Sequence, residues 1–262
     1  MILRIGAKTN LWEETWKIVK QLPKITDYIE VYYTKETVEL KKLRSLKTDW
    51  LMHGPHLSHG FNIADNRGIK TFQESVILAH QLGAEYVILH PGVFRIGKRM
   101  VVLDKMIENI NQLKDFCGGY DIKIVVENLF PARSLSGVPA KIYSLFYENF
   151  GFLPKEMGII LKRTNFEFLL DFPHACITAL TLGHDQRELI ESLMKLKPKM
   201  FHISDGISDK SKDLHLPLGK GNYDLPYFIS RIGEHDVTME IKPLTLQNIV
   251  ESKIYIKRVL KS

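Results

Sequence analysis

Nine side chains suited to metal binding recur along this sequence, and six of them stand in or directly after short apolar runs. His53 follows Trp-Leu-Met, His90 follows Val-Ile-Leu, Glu127 follows Ile-Val-Val and Asp171 follows Phe-Leu-Leu. His202 lies within Met-Phe-His-Ile-Ser, and Glu240 follows Val-Thr-Met. Successive members stand 31 to 44 residues apart, about one strand–helix unit. Two local pairs add to them. Asp171-Phe-Pro-His174 sets a carboxylate and an imidazole one helical turn apart. In Asp213-Leu-His215, an extended loop points alternate side chains the same way. Histidine with Asp or Glu is a nitrogen–oxygen donor set that suits zinc, manganese or cobalt rather than calcium. One ion takes about four ligands, so five histidines and four carboxylates point to a cluster of two or three ions. A single strand-end histidine is more often a hydrogen-bonded structural residue. Nine such groups in this order are not, because burying so many ionisable groups is costly unless a cation compensates them.

The elements that must carry these residues are legible in the same runs. Residues 3–6, 28–33, 49–53, 85–90, 123–127, 166–171, 200–204 and 237–241 are too short and too uniformly apolar for amphipathic helices. They read as strands buried on both faces, the pattern of a parallel sheet. Helical patterns lie between them at 13–21, 35–46, 69–82, 101–117, 186–196 and 246–260, with Gly83 and Gly118-Gly119 as stop signals. Residues 130–165 are the least regular, broken by Pro131, Pro139 and Pro154, with a helix expected around 138–148. Eight strands alternating with helices make an α/β chain, a (β/α)8 TIM barrel over residues 1–262 as one domain. In that fold the C-terminal strand ends meet at one mouth, where catalysis takes place. The nine residues would meet there.

Composition narrows the class. Hydrophobic residues make up 45% and charged residues 25% of 262, which is ordinary for a soluble globular protein. No apolar run approaches the roughly 18 residues of a membrane span, and Met1 leads straight into a strand rather than a signal sequence. Cys117 and Cys176 make no disulfide framework, so the cytoplasm is the expected compartment. The net charge of +6 favours a phosphate-bearing partner weakly, since the lysines are spread along the chain. Nothing calls for a second chain, and a monomer is expected. His80, His184 and His235 sit in a helix, after a helix-ending glycine and in a polar turn, and are expected at the surface.

Taken in order, WLMH (50–53), LHPG (89–92), VVEN (125–128), LLDFPHA (169–175), FHISD (201–205), DLHLPLGKGN (213–222) and MEIKP (239–243) resemble the motifs of the endonuclease IV family, AP endonuclease family 2, within the xylose isomerase-like barrels. The resemblance implies up to three Zn2+ ions. His53, His90 and Glu127 would hold one. Glu127, Asp171, His202 and Glu240 would hold a second, with Glu127 bridging, and His174, Asp213 and His215 the third. It implies cleavage of damaged double-stranded DNA 5′ to an abasic site in base excision repair, with Glu127 and Glu240 as the catalytic carboxylates.

The sequence departs from that family at DNA-recognition positions. Tyr33-Thr-Lys-Glu lacks the arginine of the family's loop, His56 stands where an aromatic is usual, Leu-Phe-Pro-Ala-Arg (129–133) replaces a small polar run, and Leu214 replaces arginine. His56, Arg95, Lys98, Arg99 and Arg133 are the candidates for contacting substrate phosphates instead. The competing expectation is a sugar isomerase or epimerase of the same wider group, acting on a small phosphorylated sugar. It would use only Glu127, Asp171, His202 and Glu240 around one Mn2+ or Co2+, with the two glutamates moving a proton between adjacent carbons.

Overall fold

The structure is a computed structural model that describes residues 3–10, 15–33, 40–55, 61–95, 99–131 and 147–261. Its strands are β1 (Ile5–Asn10), β2 (Tyr28–Tyr32), β3 (Asp49–His53), β4 (Tyr86–Leu89), β5 (Val93–Arg95), β6 (Lys123–Glu127), β7 (Tyr147–Asn149), β8 (Glu167–Asp171), β9 (Met200–Ile203) and β10 (Asp236–Met239). Eight close into a barrel in the order β1, β2, β3, β4, β6, β8, β9, β10. Every neighbouring pair is parallel. The two remaining strands, β5 and β7, pair antiparallel beyond the C-terminal end of β4.

The described helices are α1 (Trp16–Val19), α2 (Leu40–Arg44), α3 (Ile69–Leu82), α4 (Arg99–Gly118), α5 (Pro154–Thr164), α6 (Phe172–Leu182), α7 (Gln186–Met194), α8 (Leu225–Ile232) and α9 (Leu246–Val259). The expected strands stand where the sequence put them, with one informative exception. β1 runs from Ile5 to Asn10 rather than ending at Gly6, because a parallel strand inside a barrel tolerates Lys8, Thr9 and Asn10 at the mouth. Of the helix expected around 138–148, residues 138–146 lie outside the described residues, and Tyr147–Asn149 is a strand. Pro154 starts a helix instead of breaking one, since proline in the first turn gives up an N–H that has no helical partner there. The bounds of helices α6 and α8 were not drawn from the sequence, though Gly183 marks the end of α6. Each begins at an aspartate that caps it, Asp171 and Asp224, with a proline in the first turn.

The core has two parts. Tyr28, Leu51, Tyr86, Ile88, Val125, Leu169 and Met200 form a separate buried cluster that fills the barrel interior. The larger cluster packs the strands' outer faces against the helices. Gly6 makes room for the interior: a Cβ there would stand 2.2 Å from the Tyr28 ring. Side chains alternate along a strand, so the residue two positions after each interior member faces the mouth from the same side. Thus Leu51 precedes His53, Ile88 precedes His90, Val125 precedes Glu127, Leu169 precedes Asp171 and Met200 precedes His202. By the same step Gly6 precedes Lys8 and Tyr28 precedes Glu30.

Candidate metal centre

The structure brings the nine expected residues into one connected cluster. Glu127 is its hub, 1% exposed. Its Oε2 lies 3.2 Å from His53 Nε2 and 2.9 Å from His90 Nε2. Its Oε1 lies 3.5 Å from His202 Nδ1 and 3.4 Å from His174 Nδ1. The two oxygens of one carboxylate thus belong to different groups. One group is His53, His90 and Glu127, the other Glu127, Asp171, His202 and Glu240, and within each the donor atoms lie within 4.8 Å of one another. The third set converges on Asp213 Oδ2, which His215 Nε2 approaches to 2.8 Å and His174 Nε2 to 3.5 Å.

Local structure explains the two motif pairs. Asp171 caps α6, its Oδ1 accepting from the His174 backbone N–H at 2.6 Å, so the same carboxylate that starts the helix places the imidazole one turn on. Asn128 then fixes both: its amide pairs with the Asp171 backbone at 2.7 and 3.1 Å, and its carbonyl accepts from His174 Nδ1 at 2.8 Å. Asp213 and His215 do not sit on an extended segment as the spacing suggested. His215 adopts a left-handed conformation at φ 51°, and the turn brings its ring back onto Asp213. Lys242 N–H donates to the His215 carbonyl, tying this turn to the end of β10.

The glycines after this pair wrap a buried carboxylate. Asp205 accepts from the N–H groups of Gly206, Gly219, Gly221 and Tyr223 at 2.8, 2.9, 2.8 and 3.2 Å. A Cβ on Gly221 would stand 2.1 Å from the Gly206 carbonyl. Gly221→Ala is therefore expected to destabilise the protein by about 1–3 kcal/mol, read as a lowered urea midpoint. An unchanged midpoint would mean that the loop gives way freely.

A divalent cation fits the donors present. His202 is fully buried, and its Nε2–H donates to Glu30 Oε2 at 2.9 Å. Its Nδ1 has no hydrogen-bond partner, yet it faces Glu240 Oε2 at 3.2 Å, Glu127 Oε1 at 3.5 Å and Asp171 Oδ2 at 3.7 Å. A lone pair aimed at three carboxylates is untenable unless a proton or a metal ion stands between them. Without the ion the imidazole must charge. Burial works against its protonation, but Glu30 and Glu127 outweigh burial and raise its pKa well above the usual range. Asp213 Oδ1 and His215 Nδ1 are also buried without hydrogen-bond partners.

Electrostatics follow the same geometry. Burial would raise the pKa of Glu127, yet His90 and His202 hold it well below the ordinary carboxylate range. Asp171 goes the other way: burial raises it, and the neighbouring Glu127 adds to the rise. His174 is pushed up to about 10, burial being overcome by Asp171 and Asp213.

Two residues at the mouth escaped the sequence reading, Lys8 on β1 and Glu30 on β2. Lys8 Nζ lies 2.7 Å from Glu240 Oε1, and Glu30 is the carboxylate behind His202. Alternation from Gly6 and Tyr28 would have found both. Of the substrate-contact candidates, His56, Lys98 and Arg133 lie outside the described residues. Arg95 is the last residue of β5.

Arg99 is held within the protein. Its guanidinium pairs with Glu156 at 2.8 and 2.7 Å and with Glu148 at 2.7 Å, over the rings of Phe94 and Phe152. Glu156 is buried and needs that charge more than a solvated phosphate does. Arg99→Ala is expected to cost about 3 kcal/mol of stability, read as a lowered urea midpoint. An unchanged midpoint would show that Glu156 does not depend on that charge. His80, His184 and His235 are exposed, as expected. Cys117 and Cys176 are free and buried.

The family described as the xylose isomerase-like TIM barrel matches residues 26–249. The chain belongs to that family. Among relatives of this xylose isomerase-like barrel is a probable endonuclease 4 of Mycoplasmopsis agalactiae, 23% identical over 86% of this chain and 78% of its own length. An uncharacterized protein of Methanocaldococcus jannaschii is 21% identical over 74% of this chain. The match spans only 62% of that relative's length. Two solved structures show the same fold. A D-tagatose 3-epimerase-like protein superposes with a TM-score of 0.77 at 19% identity, over 99% of this chain and 97% of its own. Endonuclease IV of Thermus thermophilus superposes with a TM-score of 0.66 at 14% identity, over 98% and 99%. The proteins it resembles thus include a probable endonuclease 4 and a D-tagatose 3-epimerase-like protein, so the fold leaves the reaction open. Among the described residues no helix is long and apolar enough to cross a membrane.

Proposed function

We propose that this protein is a zinc-dependent phosphodiesterase that cuts double-stranded DNA 5′ to abasic sites. The observation that carries the reading is the hub at Glu127, whose two oxygens each serve a different group of metal donors. One-metal sugar chemistry needs only Glu127, Asp171, His202 and Glu240. It leaves His53, His90, His174, Asp213 and His215 with no task. Divalent ions held by the nine residues supply Lewis-acid activation of water and neutralise charge on a phosphate.

In this reading Glu127 sits between two donor groups and takes the proton of the attacking water. Glu240 serves as a ligand and a fixed negative charge. Lys8 at 2.7 Å supports that role. Burial would raise the pKa of Glu240, yet Lys8 and His215 keep it well below the ordinary range, so it stays charged. The net charge of +6 accords with a polyanionic substrate.

The overall likeness to a D-tagatose 3-epimerase-like protein favours the second reading, a one-metal epimerase. Metal counting and nicking separate the two. Elemental analysis of metal-replete protein is expected to find about three ions per chain, and one would favour the epimerase. A duplex bearing a single abasic site should be nicked 5′ to the lesion with zinc and left whole with chelator. An intact duplex under zinc removes the repair assignment while leaving the metal centre standing.

A further inference from the structure

We infer that Glu30 is a positioning residue of the metal centre, fixing His202 so that Nδ1 is the atom offered to the ion, while Lys8 restricts Glu240 to offering Oε2. Both come from β1 and β2, the two barrel strands that supply none of the nine donors, and the sheet register sets them side by side. Glu30 is fully buried. Its Oε2 accepts from His202 Nε2 at 2.9 Å and from the Thr238 hydroxyl at 2.8 Å. The Thr238 hydroxyl also meets the Tyr28 hydroxyl at 2.9 Å, which anchors the arrangement to the barrel interior.

A carboxylate so placed is expensive to keep, and packing alone would accept an aliphatic residue there. What it gains is control of an imidazole. A carboxylate on the far nitrogen of a metal-binding histidine fixes the ring's orientation and proton, and makes the near nitrogen a stronger donor. Two of the centre's other rings receive weaker support. His53 Nδ1 and His174 Nδ1 pair with the neutral backbone carbonyls of Gly54 and Asn128 at 3.0 and 2.8 Å.

Lys8 completes the arrangement from the other side. Its ammonium occupies Glu240 Oε1 at 2.7 Å, while Glu240 Oε2 faces His202 Nδ1 at 3.2 Å. Two of the four donors in the group Glu127, Asp171, His202 and Glu240 are thus aimed before any ion arrives. Donors already held in position lose less freedom on binding, so this group takes up the first and tightest ion. The inference rests on the metal centre and not on the reaction: a protein that binds ions but leaves DNA whole would overturn the proposed function alone.

The test uses Co2+ as probe on the full chain, with affinity from competition against a chelator and geometry from the visible absorption of bound cobalt. Glu30→Gln keeps the shape and removes the charge. It should weaken the first equivalent of Co2+ about 10- to 100-fold and alter its absorption band, with the metal-free protein still cooperatively folded. Affinity within twofold of wild type and an unchanged band would overturn the inference. If Glu30→Gln does not fold, Thr238→Val is read instead, since it removes one hydrogen bond to the same oxygen. A loss of several-fold in the first equivalent is then expected, and no loss overturns the inference.

Discussion

Glu127→Gln should lower the rate of abasic-duplex cleavage by about 10²–10⁴-fold, the range expected when a general base is removed, and by more if ions leave with it. The amide is isosteric, but one of its two termini becomes a donor. That terminus would face either His53 and His90 or His202 and His174, because each oxygen of Glu127 serves one of those pairs. One donor group is spoiled whichever way the amide turns. Single-turnover cleavage and elemental analysis on the same preparation read both effects. Far-UV circular dichroism should match wild type, since the barrel interior below Glu127 is filled by Val125, Leu169 and their neighbours. A variant that cuts at the wild-type rate would remove Glu127 from the chemistry.

Zinc uptake at pH 7 should expel protons, and zinc affinity should rise as pH rises towards 10. His174 carries a proton at neutral pH in the metal-free protein, its pKa pushed up to about 10, and a ligand must shed that proton to bind. Calorimetric titration in two buffers of different ionisation enthalpy counts the protons released. At least one per chain is expected, and none would contradict the assignment of His174.

The sign for stability follows from the same shift. A pKa raised in the folded state stabilises fully below the unfolded value of about 6.5 and is lost as pH climbs through about 10. His202 shifts in the same direction. Asp213 is depressed, with His174 and His215 overcoming its burial, so its contribution is present above the ordinary carboxylate range and lost in acid. The metal-free protein should therefore melt about 5–10 °C lower at pH 10 than at pH 6, while the zinc-loaded protein, with its histidines bound, should change little. Equal pH slopes for the two forms would show that the imidazoles are not what the ions replace.

The strands of the barrel were legible because a parallel strand buried on both faces writes its boundaries in apolar runs, as at Asp49–His53 and Lys123–Glu127. Helices α5 and α6 were harder to read. Pro154 and Pro173 look like breakers in a string of letters, yet each falls in the first turn of a helix, Pro173 behind the capping carboxylate of Asp171 and Pro154 with no side-chain cap before it. The local pairs divided likewise. Asp171 and His174 lie one helical turn apart, as their spacing said. Asp213 and His215 meet through a left-handed turn that alternation could not foresee.

Donor identity and order belong to the sequence. Six histidines and carboxylates at strand-end spacing, with His174, Asp213 and His215 beside them, carry enough chemical information to point to a metal centre, because each of six strands contributes its own residue independently of the rest. Which atoms those donors present belongs to the tertiary structure. Lys8 meets Glu240 across 232 positions and Glu30 meets His202 across 172, through closure of the barrel. Arg99, which a linear reading offers to phosphate, is drawn to Glu156 by the packing of α4 against α5. Charge pairing is set by distance in space, and only the closed sheet fixes that distance.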